Sequence, residues 1–307
     1  RFVSVDSKKA RCIRPQTAPS LGVSPLTART HRSLTGASFL TGTMFCFAVI
    51  DSLAILLIES IHVSQILAIR FWLFFAFALA YAHQRTGIRQ ALLTPIAKLQ
   101  ITRALLTVAE VGVFLISLKF LQLAESHALF ATFPIWALLL AAVFLREPLG
   151  RPEIIGVVLG LVGTLIILRP GTGVFAIEAL IPLTAAVLGA LHQIVTRHVT
   201  QIDHSTTTLL YSGLVGAIAC SMVSVFFWVD ASTQQWGIIF TMGGLGVVAQ
   251  ILLIAALTRT PASQLQPFNY TLLLFATCLG YLFFNQTPDL PTVIGGACIA
   301  GAGFLHW

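Results

Sequence analysis

Apolar runs of roughly 20 residues, each bounded by charges, prolines or glycine clusters, follow one another from residue 34 to the end of the chain. In the first half they cover residues 34–57, 66–83, 101–119, 124–145 and 153–169. In the second half they cover 176–196, 205–228, 237–257, 261–284 and 289–307. A helix rising 1.5 Å per residue needs about 20 such residues to cross a ~30 Å hydrocarbon core, whereas a barrel strand needs only about 10. The pattern therefore predicts an all-α membrane protein of ten transmembrane helices, five in each half.

An odd number of crossings per half means that a repeat between the halves runs in opposite senses through the membrane, giving two inverted five-helix repeats. Internal similarity supports that arrangement. The stretch from Leu123 to Gly163 (LAESHALFATFPIWALLLAAVFLREPLGRPEIIGVVLGLVG) holds a proline within one helix, a short charged turn and a glycine-spaced helix. The stretch from Pro261 to Gly303 has the same order, with Gly156 and Gly295 separated by 139 residues, Glu147 and Gln286 by the same interval, and Ala124 and Ala262 by 138. The predicted organisation is a basic disordered cytoplasmic tail over 1–33, a first repeat over 34–170 and a second over 171–307. Small residues at Gly156, Gly160, Gly296 and Ala300 suit closely crossing helices, as scaffold contacts or as the interface of a homodimer.

Composition narrows the function class. At 57% hydrophobic and 9% charged residues, with a mean hydropathy of +0.90, no soluble catalytic domain fits. The net charge of +7 would suit a nucleic-acid ligand if it formed a patch. Instead, 14 of the 18 Lys and Arg residues fall in the tail and in alternate loops, including Arg85, Arg89, Lys98, Arg146, Arg151, Arg197 and Arg259, against Lys119 and Arg169 on the opposite side. This bias predicts a multi-pass protein of the cell inner membrane with both termini cytoplasmic, and no nucleic-acid partner. The tail is rich in Arg, Ser and Thr, with Asp6 as its single acid, so an organellar presequence and a plastid or mitochondrial membrane form the alternative. None of the five cysteines forms a CxxC pair, and four sit in apolar runs as small hydrophobes. No metal and no cofactor are expected.

The stretches QILAIRF (Gln65 to Phe71), LAESHALFATFP (Leu123 to Pro134), FLREPLGRPEIIG (Phe144 to Gly156), LIILRPG (Leu165 to Gly171) and LQPFNYT (Leu265 to Thr271) carry a resemblance. Over residues 34–307 the chain resembles the ten-helix EamA-type transporters of the drug/metabolite transporter superfamily, and within them the bacterial branch described as S-adenosylmethionine uptake transporters. The resemblance implies transport of a small-molecule metabolite across a lipid bilayer, without catalysis. Two departures stand out: Asp51 is followed by no Lys in the first helix, and the ninth helix closes with Asn285 and Gln286 where relatives usually have Gly-Glu.

An ionisable group at the helix centre costs about 2.5–3.5 kcal/mol on insertion scales, so each such residue needs a partner or a wet cavity. Glu110 lies near the midplane of the third span and is the leading candidate, as a site for a cationic group or a coupling proton; a hydrogen bond to a neighbouring helix is the structural alternative. Asp51 and Arg70 fall at similar depth in the outer third and are candidates for a charge pair or a ligand-binding couple, and Arg103 is expected to snorkel to the cytoplasmic face. His127 and Glu125 open the fourth span with Trp136 deeper, while His192 and Gln250 fall near the level of Glu110. Gln266, Asn269 and Tyr270 flank Pro267, which frees a backbone carbonyl. Packing is the alternative for each, but as a set they match the cavity-lining helices that the resemblance implies. Trp136 or Tyr270 would stack on an aromatic base or attract a sulfonium.

The favoured cargo is S-adenosylmethionine, by resemblance; the alternatives are an exporter of amino acids or related metabolites and, further off, a membrane-embedded enzyme. His198 and Asp203 share the H-x4-D spacing of acyltransferases but lie in a short basic turn with no companion motif, and the chain has no Walker loop, GxSxG or HExxH.

Overall fold

Lipid offers the backbone no hydrogen-bond partner, so each apolar run satisfies its own N–H and C=O groups as a helix. The computed structural model describes residues 25–144, 151–168, 177–260 and 265–305. The tail to residue 24, Cys12, Arg146, Glu147, Arg169, Ala262 and Trp307 lie outside the described residues.

In chain order the helices are α1 (Pro25–Ile55), α2 (Val63–Arg85), the short α3 (Ile88–Leu92), α4 (Ala97–Ser117), α5 (Leu123–Phe130), α6 (Phe133–Phe144) and α7 (Arg151–Leu168). Then come α8 (Leu180–Val199), α9 (Ser205–Ser224), α10 (Thr233–Arg259), α11 (Thr271–Phe284) and α12 (Leu290–Leu305). No strand occurs among the described residues. Helix α1 begins within the stretch read as tail, where Pro25 suits a first helical turn because its fixed φ is helical and its missing N–H would have no partner there. Among the described residues six helices are long and apolar enough to cross a membrane: Thr35–Ile55, Val63–Arg85, Ala97–Ser117, Ile177–Val199, Ser205–Phe227 and Thr233–Arg259. Shorter apolar helices cover Ile154–Ile167, Phe268–Phe284 and Leu290–Gly301.

Two interruptions have an identifiable cause. Between α5 and α6 the helix breaks at Ala131 and Thr132, just ahead of Pro134, whose ring would clash with the Phe130 carbonyl. The Thr132 hydroxyl donates to the Leu129 carbonyl at 2.7 Å and closes the end of α5. In the second half Pro267 sits in a tight 3-10 turn (Gln266–Tyr270) that leads into α11.

Packing interleaves the two halves of the chain. Helix α2 lies against α9, α7 against α12, α1 against α10 and α4 against α8, with α10 also touching α2 and α9 touching α4. Helices α1 and α2, although joined by a short turn, make their main contacts elsewhere. Around them Ile50, Leu57, Ile61, Ile66, Leu115, Ile239 and Met242 form a fully buried core. The α7–α12 crossing brings backbone against backbone: a Cβ on Gly163 would stand 2.6 Å from the Gly295 carbonyl oxygen, and one on Gly295 would stand 2.5 Å from that of Gly163. This close approach joins α7 to α12 at Gly163 and Gly295, and Gly156 and Gly160 on α7 are also buried.

Candidate functional site

Helix α4 carries Arg103, Thr107, Glu110 and Phe114 at intervals of three or four residues, so all four fall on one face, along roughly 16 Å of helix at 1.5 Å per residue. That stripe joins two acid–histidine pairs. At its middle, Glu110 Oε2 lies 3.3 Å from Nδ1 of His192 on α8. Gly189, one turn before His192, makes the approach possible, since a Cβ there would stand 2.9 Å from Glu110 Oε1. Ala185, Ala186 and Ala190 extend the same small-residue surface of α8, all fully buried.

Toward the C-terminal end of α4 the Phe114 ring meets the ring of His127 on α5, centroid to centroid 4.8 Å, and that of Phe130 at 5.1 Å. His127 Nε2 in turn lies 3.3 Å from Asp51 Oδ2 on α1. The imidazole is buried, and neither nitrogen makes a hydrogen bond, so its attraction to Asp51 is electrostatic rather than directional. Asp51 thus makes its close contact with His127 on α5, while Arg70 stays within electrostatic reach of Asp51. Arg70 stands on α2, which packs on α9 and α10, and its Nη1 is buried without a hydrogen bond.

The N-terminal end of the stripe overturns a second expectation. Arg103 does not snorkel; it is 4% exposed. Its Nη2 donates to the Thr208 carbonyl at 2.8 Å and to the Ser212 hydroxyl, both on α9, and its Nε donates to Gln100 Oε1 at 3.3 Å. Its Nη1 lies 3.4 Å from His192 Nε2. Gln100 continues the network, donating to Asp203 Oδ2 at 2.8 Å, where the Thr94 hydroxyl also donates at 2.6 Å. Asp203 is thereby engaged with Thr94 and Gln100, which leaves the H-x4-D spacing with His198 as a coincidence of a turn.

Glu125 is drawn into the start of α5, where its carboxylate accepts from the Gln122 N–H at 3.3 Å. Gln286, one of the two departures, accepts from the Leu123 N–H at 3.1 Å and so ties the end of α11 to the same helix start. Trp136 on α6 and Gln250 on α10 are half-buried. Tyr270 lines an apolar groove with Thr277 and Thr292 between α11 and α12, a groove of about 290 Å³ to which none of Glu110, His192, Asp51 and His127 contributes. Asn269 sits beside it, and Gln266 opens the 3-10 turn. Of the predicted residues the structure thus unites Glu110 with His192 and Asp51 with His127; it draws in Arg103, which was expected at the surface, and adds Phe114, Phe130 and Ser212, which the sequence reading missed. The i+4 step from Glu110 to Phe114 was the available signal.

The sequence profile of the EamA-like transporter family matches residues 34–169 and again 176–306. The chain belongs to this family. Among its relatives, the S-adenosylmethionine uptake transporter of Rickettsia conorii is 28% identical over 166 residues, which is 54% of this chain and 56% of that protein. The chain therefore aligns with little more than half the length of that relative. The riboflavin transporter of Brucella anthropi is 26% identical over 71% of this chain and 78% of its own length. The pseudopaline exporter CntI of Pseudomonas aeruginosa strain UCBPP-PA14 is 26% identical over 59% of this chain and 66% of its own length. One crystal structure superposes over 91% of this chain and 96% of its own with a TM-score of 0.61 at 16% identity, a likeness of fold alone. These relatives are named as transporters, and this EamA-family member is a multi-pass membrane protein.

Proposed function

We propose that this protein is a secondary transporter of a small polar or zwitterionic metabolite, with S-adenosylmethionine as the favoured cargo, working by alternating access between two inverted halves over 34–170 and 171–307. The observation that carries the reading is the polar stripe of α4, which places Glu110–His192 and Asp51–His127 one above the other in an otherwise apolar bundle. Charged groups at membrane depth are costly and mark substrate or ion pathways. The helix breaks at Pro134 and Pro267 add to it, because irregular backbone at that depth is tolerated where it is buried or lines a cavity. The interleaved pairing of helices supports the two-half mechanism, since each half would rock against the other. On this reading ten spans cross the inner membrane and both termini face the cytoplasm.

In the proposed site Glu110 meets a cationic group of the cargo and Arg70 a carboxylate. Trp136 and Tyr270 offer aromatic faces, while His127, His192, Gln250, Gln266 and Asn269 supply polar contacts. The chain has no Walker loop, so movement draws on a gradient or on exchange. The exporter reading is favoured by one observation, the similarity to a pseudopaline exporter.

Uptake of radiolabelled S-adenosylmethionine by proteoliposomes tests the proposal, with amino acids, nucleosides and riboflavin as competitors. Saturable uptake blocked by unlabelled S-adenosylmethionine is expected. Competition by amino acids alone moves the cargo to the exporter reading, and no uptake or exchange with any of them removes the proposal.

A further inference from the structure

His192 stands between two groups that make opposite demands on it. A guanidinium has donors and no acceptor, so the ring nitrogen facing Arg103 must accept, which makes Nε2 the unprotonated nitrogen. The other nitrogen, Nδ1, faces the Glu110 carboxylate and carries the proton. Only the neutral Nδ1–H form of His192 serves both neighbours. Arg103 in turn holds Thr208 and Ser212 of α9, and Gln100 reaches Asp203 in the turn between α8 and α9. One continuous set of contacts thus runs from the middle of α4 to the cytoplasmic ends of α8 and α9.

We infer that His192 is a protonation switch that couples Glu110 to the closure of α4 on α9. A proton taken up on Nε2 turns an acceptor into a donor, places a second cation against Arg103, and strengthens the attraction of His192 to Glu110. The Arg103–His192 contact is lost, and the guanidinium is pushed away from the ring that helps to hold it against α9. The titratable groups on the elements packed against α8 are Lys98, Arg103 and Glu110 of α4, Glu125 and His127 of α5, and Glu178 in the turn before α8; α6 has none, and α8 itself adds Arg197 and His198. Of these, Arg103 and Glu110 are the two in contact with His192. In transport, which rests on the secondary-transporter reading, a proton taken up at Nε2 would tighten His192 on Glu110 and loosen the cytoplasmic seam.

Amide hydrogen exchange of the full chain in nanodiscs, followed between about pH 8 and about pH 5 and corrected for the intrinsic rate, reads the seam directly. The switch predicts that exchange in the N-terminal half of α9 rises about tenfold on acidification, as protection there is lost. In His192→Gln the carboxamide oxygen accepts from Arg103 and the amide donates to Glu110 without titrating, so protection should stay constant across the range. An unchanged wild-type profile, or an acid response in His192→Gln equal to that of the wild type, overturns the inference. The wild-type arm decides even if the variant does not fold. Exchange is measured without cargo, so a failed uptake assay and a failed switch are separate results.

Discussion

A methyl group on Gly189 would stand 2.9 Å from Glu110 Oε1, so the Glu110–His192 pair has its present geometry because one residue of α8 has no side chain. The obstacle would be the end of a flexible side chain and not backbone. Gly189→Ala should therefore fold, gaining slightly in helix propensity while swinging the carboxylate away from His192. Transport is expected to fall at least about tenfold, equivalent to roughly 1.4 kcal/mol, with the thermal midpoint in detergent little changed. A variant that transports like the wild type would show that this geometry is incidental.

Glu110→Gln keeps the volume and an oxygen for His192 but removes the charge. Transport of a cationic cargo should be abolished while membrane yield stays unchanged, because a neutral amide at that depth costs less than a carboxylate. Uptake at the wild-type rate would remove Glu110 from the site.

Gly163→Ala meets a different obstacle. Its Cβ would press on the Gly295 carbonyl, which moves only if α12 moves, so the α7–α12 crossing must open. The expected loss is about 1–3 kcal/mol of stability, read as a lower melting temperature and lower yield. The contrast with Gly189→Ala, stable but inactive, separates scaffold from site.

Arg103→Lys preserves the charge and should still destabilise the protein. A single ammonium has no planar fork with which to serve Gln100, Thr208, Ser212 and His192 together. Leaving one or two of those acceptors unpaired costs about 1–3 kcal/mol, measurable as faster thermal unfolding.

Gln286→Ala removes the acceptor for the Leu123 N–H and should cost about 0.5–2 kcal/mol, in the range of a lost N-cap. Gln286→Glu should match or exceed the wild type in melting temperature, since a carboxylate at a helix N-terminus is favoured. A drop in both variants would mean that the oxygen is not the operative group.

The sequence by itself determined that the chain is helical and membrane-embedded, because runs of apolar residues must close their backbone hydrogen bonds locally and the few charges lie where lipid ends. It also marked Glu110 and Asp51, since a carboxylate inside such a run is conspicuous. It did not reveal their partners. Depth along the chain placed Arg70 near Asp51 but gave no sign of His127, and it left Arg103 at the surface, because distance from a helix end is a local quantity. Which faces meet is not local: α10 separates α1 from α2, α5 brings His127 to Asp51, and α9 closes over Arg103. These contacts join residues 76 and 105 positions apart, the first within the first half of the chain and the second between the halves, and only the folded chain decides them.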